Sequence, residues 1–274
     1  MKVVETLAEW RELRRGLKGS LGFVPTMGAL HEGHLSLLRR SRSLDDITVL
    51  SIYVNPTQFN DPNDLANYPD TLDEDLAAAR RLGVDYVILP SYADMYADGY
   101  RYQVLENEFS LELCGGNRPG HFTGVLTVVM KLLNLVRPHR AYFGKKDYQQ
   151  YLLIKDMCES LFMEVDIVGC ETVRECDGLA MSSRNKLLDA KGRRLASRFN
   201  VLLASNDSDT HVIESLAALG FTVDYVVTRG KRRFGAVLLE GGERTVRLID
   251  NVELPHHPKN DPRVTAEQTT TQVA

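Results

Sequence analysis

Long apolar runs are missing from this 274-residue sequence. No stretch of about 18 consecutive apolar residues occurs, so no membrane-spanning helix is expected. The opening Met-Lys-Val-Val-Glu turns charged at once and lacks the apolar core of a signal peptide. Cysteine is scarce: Cys114, Cys158, Cys170 and Cys176 form no CxxC pair, and no close histidine completes a zinc spacing. That excludes a disulfide framework and a zinc ribbon, and reduced thiols of a cytoplasmic protein are the expectation. Excess charge is missing too. The formal net charge is -4, which gives no global field for nucleic acid, and Arg39-Arg40 and Lys231-Arg232-Arg233 read as solvated local clusters. There is no internal repeat, and no GxSxG or other nucleophile signature. What is present, 43% hydrophobic and 26% charged residues, suits a globular chain with a real core in one large or two modest domains.

The first two thirds alternate β-branched runs with helical patterns. Strands are expected at 21–26, 47–54, 84–89, 141–143 and 165–168, and helices at 34–43, 71–82, 122–136 and 148–161. Gly83 and Pro138 supply stop signals. This alternation implies an α/β class, a Rossmann-like doubly wound parallel sheet, with ligands bound beyond the carboxyl ends of its strands. After Ser183 the pattern changes to helices at 187–203 and 211–219 and short strands at 222–227, 236–239 and 245–249. The last two strands flank Glu240-Gly241-Gly242-Glu243, a hairpin signal. The expected domains are 1–183, a smaller C-terminal α+β domain at 184–254, and a disordered tail at 255–274.

The unusual residues fall at those carboxyl ends. Met27-Gly28-Ala29-Leu30-His31-Glu32-Gly33-His34 lies between a strand and a helix. Gly28 and Gly33 allow close backbone approach, and a helix N-terminus offers N–H donors to phosphate. His31 and His34, three apart, point the same way on a helical turn and can donate to phosphate oxygens. Read alone, the pair is equally one capping and one surface histidine, and metal binding lacks a third ligand. Met181-Ser182-Ser183-Arg184-Asn185 can grip phosphate with two hydroxyls and a guanidinium, or cap the next helix. Gly144-Lys145-Lys146-Asp147 opens a helix, with Lys146 a mobile charge for phosphates, Asp147 an acceptor or a cap, and Gln150 one turn on. Asn55-Pro56-Thr57-Gln58-Phe59 places a neutral glutamine, with Tyr53 and Phe59 as apolar walls, at the end of the second expected strand. Asp73-Glu74-Asp75 suits a helix start, with a Mg²⁺ site as the alternative.

The glycine-flanked histidine pair resembles the HIGH signature of the nucleotidylyltransferase superfamily, and the Met181 segment resembles its KMSKS-like loop. Taken together, PTMGALHEGH, NPTQF, RPGHFTGVLTVV, FGKKDYQQ and DGLAMSSRN resemble the pantoate–β-alanine ligase (pantothenate synthetase) family, in family order, over roughly residues 20–190. The later Arg247 to Asn251 resembles the end of that family's C-terminal domain. The resemblance implies condensation of pantoate with β-alanine through a pantoyl adenylate, with release of AMP and pyrophosphate. The alternative is another nucleotidylyltransferase acting on a different small substrate. It implies ATP as substrate, Mg²⁺, a homodimer (with the second expected strand or the N-terminal domain as interface), no nucleic acid and no membrane.

Family roles carry over residue by residue. Met27 through His34 line the ATP site, with His34 at the proton-donor position. Gly144 through Asp147 contact ATP, the Val173 backbone meets adenine, and Met181 through Arg184 close over the phosphates. His31, His34, Lys146 and Arg184 are the expected catalytic cations and donors. Gln58 and Gln150 hold pantoate, Gln58 also lies near β-alanine, and Arg118 and His121 flank the pantoate site. No metal ligand is assigned. Between Leu195 and Val223 the chain is shorter than the family pattern implies. One helix fewer is therefore expected, with lid geometry and β-alanine affinity departing from the family more than ATP binding does.

Overall fold

The computed structural model describes residues 1–240 and 245–255. Two compact units are distinguished: Met1–Val173 with Met181–Ser183, and Arg174–Ala180 with Arg184 onward.

The first unit contains, in order, β1 (Lys2–Val4), α1 (Leu7–Gly16), β2 (Leu21–Thr26), α2 (Glu32–Leu44), β3 (Ile47–Ile52), α3 (Pro62–Ala66), α4 (Leu72–Arg81), β4 (Tyr86–Ile88), α5 (Tyr92–Met95), α6 (His121–Val136), β5 (Arg140–Gly144), α7 (Tyr148–Ser160) and β6 (Asp166–Cys170). The six strands form one parallel sheet in the order β1-β4-β3-β2-β5-β6. Neighbouring residues Phe23 and Val24, Val49 and Leu50, and Val87 and Ile88 are all 0% exposed, so the sheet is covered on both faces. One face is built by Leu37 and Leu38 of α2 and Ala79 of α4 against Val24, Leu50 and Val87.

The expected α/β doubly wound sheet is therefore present. β2 matches its expected span, whereas β3 and β4 are shorter and β5 and β6 longer or shifted by one or two residues. β1 and α1 were not legible. β1 is three residues long, and α1 buries only Trp10 among its ten residues. Trp10 Nε1 and the Arg14 guanidinium donate to the carbonyls of Leu135, Val136 and Arg137, satisfying the C-terminal end of α6. The apolar second expected strand is β3, an interior strand of the sheet with no free edge for pairing with another chain.

The sheet order places its reversal between the neighbouring strands β2 and β5. Ligands of open α/β sheets bind at that reversal, beyond the strands' carboxyl ends. The loops leaving β2 and β5 there are 27–31 and 145–147.

The second unit contains α8 (Ala190–Leu203), α9 (Asp209–Ala218), β7 (Thr222–Arg229), β8 (Arg232–Glu240) and β9 (Thr245–Glu253). Its three strands are antiparallel, with β8 central. Phe199, Leu203, Val212, Leu216, Phe221, Val237 and Leu248 share one core. β8 and β9 are antiparallel up to Glu240↔Thr245, but residues 241–244 of the expected hairpin lie outside the described residues. So do residues 256–274 of the expected tail.

Arg233 corrects the sequence expectation. The sequence groups it with Lys231 and Arg232 as a solvated cluster, yet it is 1% exposed. Its guanidinium donates to Asp209 Oδ1 and to the carbonyls of Leu203, Ser205 and Asp207, which tie off the turn between α8 and α9. Arg232 pairs with Glu253 and Asn251. Alternation along β8 turns one of two adjacent arginines inward, where the Asp209 carboxylate and a ring of carbonyls compensate the buried charge.

Candidate active site

β2 ends at Thr26, whose Oγ1 accepts from Gly28 N–H at 3.2 Å. Gly28 (φ +82°) and Ala29 (φ +51°) both occupy the left-handed region. For Ala29 that conformation is strained, and something must hold it. Asp75, on the first turn of α4, does so. Its carboxylate accepts from Ala29 N–H at 2.8 Å and Leu30 N–H at 2.7 Å, and from Thr71 Oγ1 at 3.2 Å. Burial raises the Asp75 pKa, and the two backbone bonds act against that rise. Asp75 is thus occupied as a brace for the loop. No group of three or more His, Cys, Asp or Glu gathers for a metal among the described residues. The alternative reading of the acidic triplet as a Mg²⁺ site is not supported by this geometry.

The loop delivers His31 to the N-cap of α2. His31 Nδ1 accepts from Gly33 N–H at 3.1 Å, and His34 Nδ1 accepts from His31 N–H at 3.4 Å, a reciprocal capping box made of two imidazoles. Both bonds use Nδ1 as acceptor, which assigns the ring proton to Nε2 in each. The rings stack with centroids 4.1 Å apart at 29°. The structure thus merges the two readings of the pair: both rings cap, and both keep an N–H at Nε2. An added Cβ on Gly33 would lie 2.8 Å from His31 Cε1, so the glycine leaves room for the ring.

His34 has its pKa pushed down to about 3, first by burial, then by the neighbouring His31 and by Lys146. It is therefore neutral near pH 7 and offers a hydrogen bond, not a transferable charge. A group neutral in the fold and protonated when unfolded makes stability fall as pH drops below the ordinary histidine value of 6.5. At pH 5 the penalty amounts to up to about 2 kcal/mol. His34→Gln is expected to flatten the decline in melting midpoint of the ligand-free protein between pH 6.5 and pH 5. An undiminished slope in the variant would contradict the neutral, half-buried ring.

The loop after β5 supplies the cations. Lys145 is ion-paired with Glu171 and lies over Gly169, whereas Lys146 is near enough to His34 to depress its pKa. Lys146 Nζ also lies 3.7 Å from Asp147. Asp147 makes no side-chain cap on α7. Gln149, 5% exposed, accepts from Cys114 N–H and donates to the carbonyls of Phe109 and Glu112, bracing the loop before α6, while Gln150 follows it on the first turn of α7.

Met181–Ser183 belongs to the same unit as the histidines. Met181 Cβ lies 3.9 Å from the position a Cβ on Gly33 would take, so this segment meets the start of α2. Met181 N–H donates to the Val173 carbonyl at 3.0 Å, which joins the positions expected at the adenine and at the phosphates. Arg184 and Asn185 belong to the second unit, in the helical turn Ser183–Leu187. α8 itself is capped by Asp189, which accepts from Gly192 N–H. Glu32, the remaining acid of the first segment, pairs with Arg39.

Gln58 closes the helical turn Pro56–Gln58 after β3. Its main-chain carbonyl accepts from His121 Nδ1 at 2.8 Å and Arg118 Nη2 at 3.1 Å, which gives the expected flanking pair a concrete contact. Tyr53 is 7% exposed, and its hydroxyl is buried without a partner among the described residues. Phe59 packs edge-on against Tyr68 at 5.8 Å. The bracing roles of Asp75, Asn55 and Gln149 are not legible in the sequence, although all three lie in segments that it singles out. Their roles arise from partners such as Ala29, 46 residues from Asp75, and Gly124, 69 residues from Asn55.

Residues 2–253 match the family model described as pantoate-beta-alanine ligase. A pantothenate synthetase of Bdellovibrio bacteriovorus is 53% identical over 253 residues, 92% of this chain and 99% of the relative. One of Coxiella burnetii is 48% identical over 252 residues, covering 92% and 96%. The crystal structure of a Francisella tularensis pantoate-beta-alanine ligase, complexed with beta-gamma ATP and beta-alanine, superposes with a TM-score of 0.87 at 38% identity, covering 92% of this chain and 97% of that one. A pantothenate synthetase from Thermus thermophilus gives 0.83 at 37%, covering 92% and 99%. The Bdellovibrio relative is matched over 99% of its length, so the compact C-terminal part is shared with it. On its sequence, its fold and the layout of its β2–α2 loop, this chain belongs to the pantoate-beta-alanine ligase family.

Proposed function

We propose that this chain joins pantoate to β-alanine using ATP, in two steps. The observation that carries the reading is the stacked His31–His34 cap beside Lys146, at the sheet reversal of a chain of this family. In the first step a pantoate carboxylate oxygen bonds to the α-phosphorus of ATP while the bond to the bridging oxygen breaks and pyrophosphate leaves. In the second the β-alanine amine bonds to the acyl carbon, AMP departs and the amine proton is lost to solvent. The substrate carboxylate is itself the nucleophile, so the protein's work is holding the reactants in line and stabilising anionic charge.

In this reading Met27 through His34 and Gly144 through Asp147 line the ATP, with the Val173 backbone at the adenine. Lys146, His31, His34 and Arg184 meet the phosphates, and Ser182 and Ser183 close over them. Gln58 and Gln150 hold pantoate, with Gln58 also near β-alanine. The engagement of Lys145 with Glu171 supports Lys146 as the phosphate-facing lysine of the pair. His34 enters as a neutral N–H donor, and a bound polyanion raises its pKa by the same electrostatics that lower it in the free protein.

Magnesium belongs to the same proposal. No carboxylate cage is preformed among the described residues, and both Asp75 oxygens bind backbone N–H groups. The residues therefore suit a cation carried in on the phosphates with most of its waters, where it would neutralise phosphate charge. A homodimer is also proposed, with light scattering expected to give twice 30.8 kDa. Cytoplasmic residence is proposed on the four free thiols.

Purified protein with Mg²⁺ is expected to release pyrophosphate only when pantoate is present, and AMP only when β-alanine is added as well. Absence of both releases would overturn the reading. Pyrophosphate release with a different acid or phosphorylated precursor, and none with pantoate, would favour another nucleotidylyltransferase.

A further inference from the structure

The turn after β3 carries a hydrogen-bond chain that ends on Gln58. Asn55 is 1% exposed. Its Nδ2 donates to the Gly124 carbonyl at 3.3 Å and to Gln58 Oε1 at 3.0 Å. Its Oδ1 accepts from the Tyr96 hydroxyl at 2.8 Å and from Thr57 Oγ1 at 3.0 Å.

A main-chain carbonyl can only accept. The Gly124 carbonyl therefore decides which end of the Asn55 amide carries the hydrogens, since the reversed amide would set two oxygens against each other. This approach needs glycine: a Cβ on Gly124 would lie 2.4 Å from the Thr57 carbonyl oxygen. With its NH₂ end committed, the Asn55 oxygen needs donors, and the Tyr96 and Thr57 hydroxyls supply them. Tyr96 is 3% exposed, and the Lys131 ammonium lies 4.7 Å from its ring centre. Lys131 is itself held by the Met95 carbonyl and Asp98.

The order propagates outward. Gln58 Oε1 is engaged by Asn55, so Gln58 turns its NH₂ end the other way. Its backbone is anchored through the carbonyl bonds from His121 and Arg118.

We infer that Asn55 and Tyr96 are positioning residues that set the polarity of Gln58. They make it a hydrogen-bond donor, which selects an obligate acceptor, a carboxylate or carbonyl oxygen, at the pantoate position. The inference rests on the reading that Gln58 holds pantoate. A buried amide offered to a matching acceptor discriminates strongly, because a mismatch leaves both groups unpaired.

The test compares Tyr96→Phe, Asn55→Asp and Gln58→Leu for KM of pantoate, KM of ATP, kcat and melting midpoint. Tyr96→Phe removes one of the two donors to the Asn55 oxygen and loosens the relay, leaving Thr57 and the Gly124 carbonyl, and is expected to raise the pantoate KM about tenfold, one hydrogen bond's worth, with the ATP KM within about twofold. Asn55→Asp turns the relay over: its carboxylate accepts from Gln58 NH₂, which then offers its oxygen to an anion. A rise in pantoate KM of about 100-fold is expected. The Gln58 side-chain NH₂ resonances should also move to a hydrogen-bonded position that they lack in the ligand-free parent. Should Asn55→Asp fail to fold, Tyr96→Phe decides alone.

Equal rises in both KM values with a lowered melting midpoint would mean a merely structural role and overturn the inference. So would an unchanged pantoate KM in Tyr96→Phe. Gln58→Leu separates the layers. If it leaves pantoate KM unchanged, Gln58 is no pantoate contact and the underlying reading fails with the inference. If it raises that KM while the other two variants do not, only the polarity relay is lost.

Discussion

Lys146→Ala and His34→Ala are each expected to lower turnover by at least about 100-fold, while the melting midpoint stays close to that of the parent. The size follows from the surroundings. Lys146 is 19% exposed at its side chain, and His34 is half-buried, with desolvation the leading cause of its depressed pKa. Charge placed on phosphate oxygens in such a site is screened little by water, so a donor fixed there is worth far more than one on the surface. Neither side chain contributes a large apolar area, which is why the fold should survive.

A second readout comes with the lysine variant. Lys146 is among the causes that hold the His34 pKa near 3, so its removal should move that pKa upward, visible in ring-proton resonances during acid titration. A lysine variant that turns over at the parental rate would remove Lys146 from the phosphate site. An unmoved His34 titration would separate the two residues in space.

Arg233→Met is expected to destabilise the second unit by about 3–5 kcal/mol, the range for breaking a buried charged network by removing one partner. The arginine is buried, and its loss leaves the carbonyls of Leu203, Ser205 and Asp207 without their donor, and Asp209 with only Thr228. Methionine fills similar volume but can pair with none of them. Lysine should fail to rescue, because a single ammonium cannot reproduce the planar fork that spans the turn between α8 and α9. The change should show in hydrogen exchange as lost protection at β7, β8 and β9, with β2, β3 and β5 unaffected. Retained protection in β8 would refute the burial cost.

These two sites differ in how far they could be read in advance. The histidine segment announces itself, because glycines and imidazoles crowd a strand–helix junction where an ordinary loop needs neither. The same local chemistry correctly placed β2 and located α2, α4, α6 and α7 to within two residues at each end. It failed at β1 and α1: β1 is an edge strand placed only by its pairing with β4, and α1 is placed by the end of α6. It failed again at Arg233, where adjacent basic residues look alike until a strand turns one of them inward.

Residue order alone therefore determined the alternation of strands and helices, the glycine-bracketed imidazole pair and the family. These rest on periodicity and on interactions within one turn of chain, which composition and spacing encode directly. Tertiary structure decided what the polar residues are bonded to. Asp75 as a brace for Ala29 and Leu30, Gln149 as a tie for the 109–114 loop and Asn55 as the partner of Gly124 all pair groups tens of residues apart. A buried polar side chain takes its role from the donors and acceptors that folding brings to it, and those are fixed only when the sheet order and helix packing are complete.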